Sequence, residues 1–198
     1  MNKCQKTFKI FNFKNLLKLT LLASLFISLS CGLTGETKVI LERSAKAITD
    51  EIDKIRKEAV NKNVNFAAFK DGQTGTKVSE EPFILEAKMR ATEVAEKFVT
   101  ALEGEATKLK ETGSSGEFSA MYNMMFEVSG PLQELGVQEM TKTVTDAAAK
   151  YPTTTAEGIL EIAKIMKTKL QRVHKKNYCA LEKKKNKNSS AVEECNKT

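Results

Sequence analysis

The sequence predicts an all-α protein: a single-domain bundle of about five helices, with a long loop between the first two. Three observations carry that prediction. The 198 residues include only three Pro, no Trp and few aromatics, while long stretches are rich in Ala, Glu, Lys and Leu, which suits helices and argues against a β-sandwich. Apolar residues recur at alternating spacings of three and four, the stripe of a helix that packs in a bundle. Between the breaks in that pattern no strand-like alternation occurs, and no internal repeat is visible.

The first stripe is Leu41, Ala45, Ile48, Ile52, Ile55 and Ala59, with charged residues from Glu42 to Lys57 on the other faces. It stops near Asn61-Lys-Asn63. Residues 63–79, with Gly72 and Gly75, read as a long loop in which Phe66 and Phe69 are expected to touch the core. Ser79-Glu-Glu-Pro82 opens the second helix, since Pro is tolerated in a first turn. Its stripe is Leu85, Lys88, Thr92, Ala95, Val99, Leu102, Ala106 and Leu109. Lys88 stands where a Leu or Ala would be routine. Either its stem snorkels across apolar surface, or its cation is held at the edge of a cleft between helices.

Thr112-Gly-Ser-Ser-Gly116 breaks the chain, and Phe118, Met121, Tyr122, Met125 and Phe126 line a short third helix as core. Gly130-Pro131 is expected to end it. Leu132, Leu135, Met140, Val144 and Ala147 mark a fourth helix, stopped around Tyr151-Pro152. Thr154 and Glu157 are expected to form a capping box for the fifth. The seam of that last helix is Ile159, Ala163, Met166, Leu170 and Val173, and the helix can extend past Lys176.

The formal charge of +7 is unevenly placed. Residues 1–30 carry five lysines and no acid, followed within that stretch by an apolar run from Leu19 to Leu29. The run is shorter than the roughly 20 residues a membrane span needs. A charged start, a short apolar stretch and small residues at Ser30-Cys31-Gly32 make residues 1–30 a secretory signal peptide. Cys31 directly after the cleavage point, with Leu29 and Ser30 before it, resembles a looser bacterial lipobox. Its thiol would then carry diacylglycerol and the new amino terminus a further acyl chain, because stable anchoring takes more than one chain. The expected organisation is a lipid-anchored tether over 31–37, a helical bundle over 38–178 and a lysine-rich tail over 179–198, held at the outer membrane on the cell surface. Without the leader, residues 31–158 carry a net charge of −5 and residues 159–198 a net charge of +7. A local basic surface on an acidic body is what needs explaining.

Catalytic constellations are missing. His174 is the only histidine, no phosphate-cradling Gly loop or HExxH occurs, and the carboxylates fall on solvent faces of helices. Neither an enzyme nor a cofactor is expected, and Cys179 and Cys195 lack the spacing of a zinc site. In an exported chain these two cysteines fit an intrachain disulfide, two exposed free thiols or an intermolecular pair. The informative segment is the last helix. Lys169, Arg172 and Lys176 lie at i, i+3 and i+7, along one side of it. Lys164, Lys167 and Lys175 are expected to broaden that surface, and Lys183-Lys-Lys185-Asn-Lys187 adds a cluster. The helix dipole accounts for cations in the last turn, not for a stripe over two or more turns. Such runs bind heparin-like polymers or nucleic acid. A protein anchored outside the cell is expected to meet sulfated polysaccharide rather than nucleic acid, with anionic membrane as the alternative polyanion and the lipid anchor as the expected link to the membrane.

Six segments carry a family resemblance: Cys31-Gly-Leu-Thr-Gly35, Leu41-Glu-Arg-Ser-Ala-Lys46, Pro82-Phe-Ile-Leu-Glu-Ala-Lys88, the stretch from Lys108 to Tyr122, Gln138-Glu-Met-Thr-Lys-Thr-Val144 and Lys169-Leu-Gln-Arg-Val-His-Lys-Lys176. In that order they resemble the decorin-binding surface lipoproteins of Lyme-disease spirochaetes, from the leader to about Asn177. The resemblance implies an outer-surface adhesin that binds the glycosaminoglycan chains of host decorin, chiefly dermatan sulfate. It places the family's binding lysines on Lys88, Lys169 and Lys176, which are the seam lysine and two members of the stripe. It assigns nothing to Cys179, the lysine cluster or Cys195. The competing expectation is a surface lipoprotein that recognises a host protein through its acidic or Met-rich faces, in immune evasion or a structural role.

Overall fold

The computed structural model describes residues 32–70, 81–185 and Cys195. The leader, Cys31, residues 71–79 of the loop and Lys187 lie outside the described residues. Among those described, five α-helices and one 3-10 turn form an all-α bundle: α1 (Gly35–Asn61), the turn Phe66–Phe69, α2 (Pro82–Lys108), α3 (Ser115–Glu134), α4 (Met140–Ala148) and α5 (Ala156–Lys185).

The stripes bury as their spacing dictates. All six members of the α1 stripe are buried, and in α2 so are Leu85, Lys88, Thr92, Ala95, Val99, Leu102 and Ala106. Burial of a Leu or Ile side chain contributes roughly 1.5–3 kcal/mol. Polar contacts then set the pairing. Arg90 of α2 reaches Glu51 and Glu58 of α1 at 3.1 and 2.7 Å, and Lys167 of α5 meets Glu103 of α2 at 2.7 Å. With Lys185 at 3.8 Å from Glu86, the α5 pairs show α2 running antiparallel to α5, and Thr37 against Glu105 together with Glu58 against Arg90 shows the same for α1. Phe69 is fully buried and meets Phe83 edge-on with centroids 6.1 Å apart, so the 3-10 turn is stitched to the start of α2.

Several sequence expectations need correction. Gly130-Pro131 does not end a helix; α3 runs through it to Glu134. Gly130 lacks the Cβ that a following proline ring would strike, and Met121, Met125, Val128 and Leu132 keep one continuous buried stripe across the break. Leu132 therefore belongs to α3, and Leu135 is its cap, not part of α4. Phe126, expected in the core, is exposed. The cap of α5 is Thr155, whose hydroxyl accepts from Gly158 N at 3.2 Å, so Thr154 and Glu157 form no box. A capping box does occur at the start of α3, where Ser114 and Glu117 exchange side-chain and backbone hydrogen bonds. The described chain also departs from the expected boundaries at both ends: α1 begins at Gly35, and α5 continues to Lys185.

One contact ties the start of α1 to the end of α2. The buried Glu105 carboxylate accepts from Thr37 Oγ1 and from Lys108 Nζ, each at 2.6 Å. Burial pushes this carboxyl up, but the bonds from Lys108 and Thr37 outweigh it and hold the pKa below its ordinary value. A depressed folded-state pKa adds stability above the unfolded value, about 4.3, and loses it as pH falls through the folded value. Glu105→Gln is expected to lower stability by about 1 kcal/mol at pH 7. The gap to the parent should close in acid, as urea midpoints at pH 7 and pH 3 would show; an equal gap at both would rule this out.

Candidate polyanion-binding site

The site grows from the way α3 stops. Gly136 N donates to Gln133 O at 3.0 Å and Val137 N to Leu132 O at 3.1 Å, the paired bonds of a Schellman cap. The cap requires a left-handed residue, and Gly136 supplies it with φ +83°. Gly136 also leaves room for two neighbours. A Cβ there would stand 2.1 Å from the Phe69 carbonyl oxygen and 2.8 Å from Lys88 Nζ. The Lys88 ammonium thus lies against the bare Cα of the cap, at the C-terminal end of α3, where the helix dipole carries partial negative charge.

Lys88 is only 5% exposed. Its head is held between α2 and the α3–α4 turn, beside Gly136. Burial lowers its pKa. The same turn also acts on the second lysine. Glu139, at φ +50° just before α4, acts electrostatically on Lys169 of α5. Burial lowers the Lys169 pKa; Glu139 pulls it up, and Arg172 and Lys176 push it down. The turn from Gly136 to Glu139 therefore touches Lys88 of α2 through Gly136 and acts on Lys169 of α5 through the charge of Glu139. Arg172 and Lys176 continue the stripe along α5, both exposed.

The other basic residues divide. Lys167 is engaged with Glu103 in the α2–α5 seam, so it does not broaden the basic surface as expected. Lys164 is exposed beside Glu161, at 3.8 Å. His174 is a packing residue: its Nδ1 lies 3.2 Å from Thr92 Oγ1, one turn along α2 from Lys88. Cys179 and Cys195 are joined in a disulfide, with Cα atoms 5.6 Å apart, which ties Cys195 back to α5. No group of His, Cys, Asp and Glu among the described residues could hold a metal, and none of their helices is long and apolar enough to cross a membrane. Sequence reasoning missed Phe69, Gly136 and Glu139 as parts of this site. Gly136 did carry a signal, because a glycine just after the Leu132–Leu135 pair is a C-cap signature.

Residues 36–193 match the family model described as decorin binding protein. The chain belongs to the decorin-binding protein family. Within it, the chain is 71% identical over 186 residues to decorin-binding protein A of Borreliella burgdorferi, covering 94% of each chain. It is 37% identical to decorin-binding protein B of the same species, over 82% of this chain and 87% of that one. Among solved structures of the family, decorin binding protein A of Borrelia burgdorferi superposes with a TM-score of 0.68 at 80% identity, covering 81% of this chain and 98% of that one. The protein A of Borrelia garinii gives 0.57 at 55% identity, over 81% of this chain and 98% of its own.

Proposed function

We propose that this chain is an outer-surface lipoprotein adhesin that binds decorin through its sulfated glycosaminoglycan chains, dermatan sulfate foremost. Lys88, Lys169, Arg172 and Lys176 are the contact cations. Decorin as the partner follows from the names of the family and its relatives. The glycan as the contact rests chiefly on one observation: partly desolvated Lys88 of α2 packs against Gly136, and Glu139 of the same turn acts electrostatically on partly desolvated Lys169 of α5. A buried ammonium lacks full hydration, so an arriving sulfate replaces what the fold removed and meets a charge already fixed in place. Arg172 can grip a sulfate or carboxylate with two parallel hydrogen bonds, while Lys176 adds a more mobile point charge. The acidic body opposes a polyanion elsewhere on the surface and so confines it to this strip.

Affinity should fall steeply with salt, because a repeating polyanion sheds counterions as each cation engages. By analogy with nucleic acids, Arg172→Ala or Lys176→Ala is expected to flatten the log–log salt slope by about one while leaving helicity intact. Titrations of immobilised decorin at several ionic strengths would check this. Enzymatic removal of decorin's glycan chain decides the class of contact. Binding should be lost; binding that survives undiminished would reject the glycan and favour recognition of a protein surface.

A further inference from the structure

Residues 31–37 were expected to form a tether, yet the part described is packed into the bundle. Leu33 is 2% exposed and belongs to the core. Gly32 sits so close to the start of α3 that a Cβ there would stand 2.3 Å from the Gly116 carbonyl oxygen and 3.3 Å from Ala120 Cβ. Three residues after Gly32, Gly35 begins α1, and the contact of Thr37 with Glu105 fixes that first turn to the end of α2. Lys110 and Glu157 approach to 3.3 Å and add the start of α5 to the same end. Four helix termini therefore meet around Gly32, the residue bonded directly to Cys31.

We infer that this end of the bundle is seated on the lipid surface, so that the molecule stands upright with its lysine site turned away from the membrane. The inference rests on the reading of Cys31 as the acylated residue. With the anchor on Cys31 and Gly32 already docked, no slack chain separates the acyl groups from the fold. A flexible tether of even 12 residues would span about 20 Å and release the orientation. The ion pairs at this end are mutually compensated, so seating comes from the short covalent link and not from attraction to headgroups. The helices then act as a spacer. Lys88 lies twenty residues before the end of α2 and Lys176 nineteen after Glu157, which at 1.5 Å per residue lifts them by about 30 Å. A macromolecular polyanion meets the raised cations without having to enter the headgroup layer.

The test uses the protein extracted from its membrane, reconstituted in a supported phosphatidylcholine bilayer and profiled by neutron reflectometry. A second form carries a 12-residue Gly-Ser insertion between Cys31 and Gly32. The mass of the amino-terminal peptide is measured for both. With acyl chains found on Cys31, the parent is expected to show a sharp protein layer about 45 Å thick, the length of α5, and the insertion form a broadened one. Acylated parent protein in a layer near 25 Å, two packed helix diameters, would overturn upright seating while leaving the anchor reading intact. Identical sharp profiles for both forms would also overturn it. An unmodified Cys31 would instead remove the anchor reading, and the inference with it.

Discussion

Lys88→Met is expected to make the protein more stable and a poorer binder of decorin. Methionine keeps most of the stem's volume in the seam between α2 and the Gly136 turn while removing a charge that burial disfavours. The gain should be on the order of 1 kcal/mol at neutral pH. Its pH dependence runs opposite to that of Glu105. A lysine whose folded-state pKa is lowered destabilises the fold while it is charged, so the penalty is full at neutral pH. That penalty fades as pH rises from the lowered folded value toward the ordinary lysine value, where the parent folds with a neutral amine. The advantage of the variant should therefore shrink in alkali. Binding should weaken by about 10- to 100-fold, the worth of one charge-assisted contact of 1.5–3 kcal/mol. Parallel urea denaturation and decorin titration measure both. A variant less stable than the parent would overturn the desolvation penalty, and one that binds equally well would remove Lys88 from the site.

Gly136→Ala is expected to be the most destabilising single methyl in the site. Two independent penalties coincide there. A non-glycine residue at φ +83° costs about 1–2 kcal/mol in the left-handed region. The new Cβ would also stand 2.1 Å from a backbone carbonyl, that of Phe69, and relieving it must move the 3-10 turn or the end of α3. Overpacking of this kind adds roughly 1–3 kcal/mol. A total of about 2–5 kcal/mol is expected, accompanied by weaker binding because Lys88 Nζ loses its seat. Gly104→Ala is the matched control: it lies within α2 with nothing within 4 Å of a new Cβ, so it should stabilise by about 0.5–1 kcal/mol. Thermal melts of the two variants should move in opposite directions. Equal shifts would mean that the Gly136 cap carries no special constraint.

The successes and failures of sequence reading have particular causes. The α1 stripe was legible to the residue, since a period of 3.6 maps apolar positions onto one face without reference to anything distant. The α3 end was not. Gly130-Pro131 is a local breaker, but a continuous buried stripe from Met121 to Leu132 overrode it, and tertiary burial outweighs a few kcal/mol of local preference. Thr154 and Thr155 are both good caps; which one serves depends on where the loop meets α5. Lys167 carried the spacing of a surface cation, yet Glu103 of a helix sixty-four residues earlier claims it. Among the candidate cations, Lys88 was conspicuous as the wrong residue type in an apolar seam, and Lys169, Arg172 and Lys176 as a spaced set.

By itself the sequence determined the number and type of helices, the division into an acidic body and a basic end, and the cations worth naming, because periodicity, charge and motif are properties of neighbours along the chain. Only the tertiary structure decided that Lys88 is buried against Gly136, that Glu139 of the same turn acts on Lys169, and that Gly32 and Leu33 are packed where a tether was expected. Those outcomes depend on which segments approach from afar. Burial, desolvation and the room beside a glycine are set by that approach, and no local pattern encodes them.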